Sequence, residues 1–169
     1  MYMWAYTNGA IADTVWNTND VTSEGYQVAG NWVGVLFAVQ AIGSVLWALF
    51  IPKFRSLKGA YVVSLLLGAI GFASVFFIHD QYLLFISFLL IGIAWAAMLA
   101  LPFTILTNSL SGEHMGTYLG LFNGTICLPQ IIAAACGGLL LKAVGGAQVN
   151  MFIVAGVLLV LGALSVTFI

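Results

Sequence analysis

Charge is what this sequence has least of. Only 5% of its 169 residues are charged, four Lys or Arg and five Asp or Glu, where a soluble domain carries about a quarter. So few charges cannot coat a water-soluble globule of this size. The 63% hydrophobic content and mean hydropathy of +1.13 point to an integral membrane protein instead. The net charge is −1 and no basic patch is present, so nothing points to nucleic acid. Cysteine is nearly absent too. Cys127 and Cys136 both fall in one apolar run, on opposite faces of a helix and more than two turns apart, which excludes pairing within that helix. They read as small packing residues. No charged segment followed by a cleavage site opens the sequence, so no signal peptide is expected. His79 and His114 stand in polar loops without a ligand cluster, so neither metal nor cofactor is expected. No nucleophile–base set, carboxylate pair or phosphate loop supports an enzyme.

What the sequence does have is long apolar runs. They are continuous and rich in Leu, Ala and Gly, unlike the alternating short segments of a membrane barrel. In the bilayer core such runs must be helices, because only a helix satisfies its own backbone there. The fold class is therefore an all-α membrane protein with one partial and five full spans. Residues 1–16 reach roughly 24 Å as a helix, short of a hydrocarbon core of about 30 Å. They read as the tail of a spanning helix. A polar loop is expected over 17–29, then full spans over 31–51, 60–78, 82–106, 116–141 and 150–169. Pro52 stops the first full span.

The loop after it holds Lys53, Arg55 and Lys58, three of the four basic residues. The enrichment of Lys and Arg in short cytoplasmic loops places it inside. Alternation then puts the 107–115 loop and the C-terminus inside, with the loops at 17–29, 79–81 and 142–148 outside. These three cations are expected to meet lipid phosphates or helix ends at the membrane surface.

One span is unusual. MGTYLGLFNGTICLPQIIAAACGGLLL, residues 115–141, carries Asn123, Thr125, Pro129 and Gln130 at mid-depth. Asn123 and Gln130 lie nearly two turns apart and share a face, with Ile126 and Cys127 between them. An amide has both donors and an acceptor, which suits the hydroxyls of a sugar. The alternative is bonding to a neighbouring helix. Gly112, Gly116, Gly120 and Gly124 recur every four residues and read as a close-packing ridge. Trp95, Leu99 and Pro102 share a face of the 82–106 span. A mid-span indole stacks equally well on a sugar ring or on other aromatics. Pro102 frees a carbonyl and is a candidate hinge. Gln40 is a further mid-span polar residue. Asp13 sits near the outer surface, where charge costs little.

The stretch GIAWAAMLALPFTIL at 92–106, the loop SGEHMG and then TYLGLFNGTICLPQIIAA at 117–134 resemble the second half of sugar carriers of the major facilitator superfamily. The likeness is to the branch of sucrose-transporter-like and glycoside–pentoside–hexuronide-type proton-coupled carriers. Its most specific part is the set Gly116, Tyr118, Gly120, Phe122, Asn123, Pro129 and Gln130. MWAYTNGAIAD and NWVGVLFAVQAIGSVL resemble the seventh and eighth helices, and the basic loop resembles a degenerate form of the family's repeated cytoplasmic motif.

The resemblance implies that residues 1–169 are helices seven (partial) to twelve of a twelve-helix carrier. It implies a sugar or glycoside substrate moved by alternating access, a proton as coupling ion, and a bacterial inner or plasma membrane. It also implies a missing N-terminal six-helix half, by truncation or as a partner, that completes the site. It makes Tyr6 and Asn8 of the seventh helix candidate sugar contacts and the helix of Trp95 a cavity-lining one. A role for Lys53, Arg55 and Lys58 in locking one state follows from it alone. The rival reading is a non-transporting sensor or assembly protein on a carrier-like fold.

Overall fold

A computed structural model describes residues 2–110 and 114–168. Gly112 and Glu113 lie outside the described residues. The described residues form six helices, α1 (Tyr2–Trp16), α2 (Glu24–Phe50), α3 (Leu57–Phe77), α4 (Leu84–Ser109), α5 (Met115–Ala143) and α6 (Asn150–Thr167), and among them a single 3₁₀ turn at Ile51–Lys53. Five of them, α2 to α6, are long and apolar enough to cross a membrane. With 15 residues, α1 is short of a full span.

The ends of the helices follow local chemistry. Helix α2 begins at Glu24, inside the stretch expected to be loop, because Ser23 caps it. The Ser23 hydroxyl accepts from the Tyr26 amide at 3.2 Å, filling one of the donors that a helix start leaves open. The loop is thus reduced to 17–23. Asp20 folds it by accepting from the Thr22 amide at 2.9 Å and the Thr22 hydroxyl at 2.7 Å. Pro52 ends α2 in the 3₁₀ turn, as its missing N–H dictates. Ser56 caps α3 by accepting from the Gly59 amide at 3.3 Å, so α3 starts three residues earlier than expected. Pro102 does not end α4, which runs on to Ser109. After α5, Gly145 and Gly146 take φ of 96° and 80°. Their amides bond the carbonyls of Lys142 and Leu141 at 3.3 and 2.8 Å, a Schellman turn that only glycine enters freely.

Helix α4 packs on α2 and α3, α3 packs on α6, and α1 bridges α2 and α6. These five helices make a ring around a core of Ile11, Leu36, Phe72, Phe88, Ile91 and Phe152. Lipid tails are as apolar as leucine, so close packing and short polar bonds hold such helices together. Glycines supply the close approach. A Cβ at Gly43 would stand 2.7 Å from the Leu89 carbonyl oxygen, one at Gly71 2.8 Å from that of Ser87, and one at Gly92 would strike that of Gln40. Small polar residues supply the bonds. Ser44 donates to the Gly92 carbonyl at 2.8 Å, the Trp47 indole donates to Ser64 at 2.8 Å, and Ser74 pairs with Ser87 at 2.7 Å.

Helix α5 stands apart. It makes no extended contact with another helix, and Gly137 is its one buried residue. It touches the bundle where Gly137 faces Tyr6 and where Phe122 lies 6.5 Å from Phe103, ring to ring.

Candidate functional site

The two amides singled out from the sequence, Asn123 and Gln130, are both exposed on α5. Neither hydrogen-bonds another described residue. The expected contact along Gly116, Gly120 and Gly124 is not made within this chain: nothing stands within 4 Å of a Cβ at any of the three. The physical reason is the placement of α5, which brings no helix over that ridge. In its place is an open groove lined by Thr117, Gly120, Leu121, Gly124, Thr125 and Leu128.

A second group forms on α1, α2 and α4. The Trp95 indole meets Trp4 edge-on at 5.8 Å, and Trp4 lies 4.7 Å from Phe37. Gln40 is one turn beyond Phe37, and its carbonyl abuts Gly92, one turn before Trp95. Gln40 is 96% buried, yet its side-chain oxygen has no partner among the described residues. An unmet buried acceptor is costly and marks a place where a donor is wanted. Trp4 and Trp95 border a cavity of about 160 Å³, whose other walls include Met3, Phe72, Ile91 and Leu158. The walls are almost wholly apolar. The cavity therefore suits the flat face of a ring better than a hydroxyl.

The remaining candidates separate. Tyr6 turns its hydroxyl toward Gly137 of α5. Asn8 faces Gly30 of α2 and also keeps a buried side-chain oxygen without a partner among the described residues. Pro102 lies nearer the other end of α4, beside Tyr61 and Phe122. Lys53 and Arg55 are exposed between α2 and α3, and Lys58 in the first turn of α3; the Lys53 ammonium sits 4.6 Å above the Phe50 ring. Asp13, at the opposite end, accepts from Asn19 at 3.0 Å.

Sequence reasoning missed Trp4 and Phe37 as partners of Trp95. Three aromatics on three helices have no spacing rule to link them. It also missed the serines that join the helices, which look like any small polar residue.

A multi-pass helical bundle with polar groups turned toward an unfilled side has its counterpart in a known family. The family model of the Major Facilitator Superfamily matches residues 1–169. The chain belongs to the Major Facilitator Superfamily. No curated protein and no solved structure matches it. Membership makes this an integral, multi-pass membrane protein of a carrier family, and it gives the bundle a transport setting.

Proposed function

We propose that this chain is one six-helix half, helices seven (partial) to twelve, of a secondary active carrier that moves a sugar or glycoside by alternating access. The observation that carries the reading is the pair Asn123 and Gln130, exposed on one face of a spanning helix without a partner among the described residues. Amides turned to hydrocarbon would be costly. A second half facing α5 would turn that surface into a water-filled cavity, and hydroxyl-rich substrates suit amides. The second half is supplied either by the same polypeptide or by a partner. Trp95 and Gln40 extend the site on the far side, with Tyr6 and Asn8 on α1 between. The Gly116, Gly120, Gly124 ridge is the sliding contact of the gate, and Pro102 is its hinge. Lys53, Arg55 and Lys58 face the cytoplasm, as does the C-terminus. A proton drives transport, and its acid belongs to the second half.

The test uses the assembled carrier in sealed vesicles. Labelled sugar accumulates under an imposed proton gradient, and Asn123→Ala and Gln130→Ala each raise the apparent KM about three- to tenfold, the worth of one hydrogen bond. No accumulation under any gradient overturns the carrier reading. Unchanged KM in both variants returns the amides to a packing role.

A further inference from the structure

The bundle holds a second cavity, about 290 Å³, between the ends of α3, α4, α5 and α6. Its walls include Tyr61, Pro102, Ile105, Phe122 and Val166, and Lys58 stands at its mouth. The Ser109 hydroxyl beside it is already committed to the Ile105 carbonyl at 2.8 Å. Lys58 is the charged residue among the described residues that line it. A lysine stem lies along apolar walls while its head reaches the interface.

Lining and charge identify the occupant. The space opens on one side and its walls are almost wholly apolar, so it suits a stretch of hydrocarbon chain. Charge is divided between the ends of the bundle. Asp13, Asp20, Glu24 and Asp80 stand at one end with Lys142. Lys53, Arg55 and Lys58 stand at the cavity's end, with Glu113 the sole acid in sequence there. We infer that this cavity binds one acyl chain of an anionic phospholipid, with the lipid phosphate on Lys58. The site is separate from the amides of α5 and does not rest on the transported substrate.

Native mass spectrometry of the purified protein, with phosphatidylglycerol or phosphatidylcholine of matched chains, tests it. The wild type retains phosphatidylglycerol in preference. Lys58→Gln lowers that retention about fivefold, the worth of one lysine at an anionic surface, and leaves phosphatidylcholine unchanged. Ile105→Trp, which fills the cavity, lowers retention of both lipids. Lys142→Gln, at the opposite end, changes neither. Equal retention of the two lipids by the wild type overturns the inference. So does a Lys58→Gln protein that holds phosphatidylglycerol as before, the result expected if Glu113 rather than lipid occupies the lysine, and so does an Ile105→Trp protein with unchanged retention. Lys58 is exposed, so its variant tests the site without disturbing the core.

Discussion

Glycine has two different meanings in this chain. At Gly43 and Gly92 the α2 and α4 backbones meet so closely that a methyl group has no room. Gly92→Ala is expected to lower stability by about 1–3 kcal/mol through overpacking, read as a lower midpoint of thermal unfolding in micelles. Gly120 meets nothing within 4 Å, so Gly120→Ala should not lower that midpoint, and the better helix former should add up to about 1 kcal/mol of stability. On the proposal that the ridge is a gate contact, the same change impairs transport in the assembled carrier, read as a lower rate of sugar accumulation in vesicles. A residue-scale prediction also concerns pH. The Thr22 hydroxyl and amide hold the Asp20 carboxyl below its ordinary value, since both bonds favour the ionised form. Such stabilisation is present above the ordinary carboxylate range and is lost as pH falls through the depressed value. Thr22→Val removes the hydroxyl bond and keeps the amide bond, so the Asp20 value should rise part of the way back in an NMR titration.

At the scale of the element, helix ends were harder to read than helix centres. The runs over 31–51, 82–106 and 116–141 announce spans by apolar length alone. Their true limits come from single bonds outside the runs. Ser23 adds seven residues to the start of α2 by capping at Glu24. Ser23→Ala should cost about 1 kcal/mol and shorten protection of the Gly25–Gly30 amides in hydrogen exchange. Hydropathy counts Ser, Glu and Gln as loop residues and has no means of weighing a cap. Pro102 shows the converse: a proline inside the span does not end α4, which runs three residues past the expected limit at 106. Thr104 donates its hydroxyl to the Ala100 carbonyl at 2.8 Å, within the turn that holds the proline.

For the whole molecule, the deciding feature is that five helices close a ring and α5 does not join it. Cys127 and Cys136 report on this directly, because both are exposed on α5 and point to opposite faces. In the chain alone, a water-soluble maleimide in mild detergent should label both at similar rates. In the assembled carrier Cys127, one turn past Asn123, should remain reachable and be slowed by substrate, while Cys136 should fall silent. Labelling of Cys136 alone in that state would place the cavity on the wrong face. The sequence by itself determined the membrane setting, the number of full spans and the shared face of Asn123 and Gln130. These depend on composition and on a 3.6-residue period, which need no neighbours. Only the tertiary structure decided which glycines are crowded, that Trp4 joins Trp95, that Gln40 keeps a buried oxygen unmet among the described residues, and that α5 leaves its amides exposed. Those properties belong to pairs of helices, and the contact between two helices is set by the space they share.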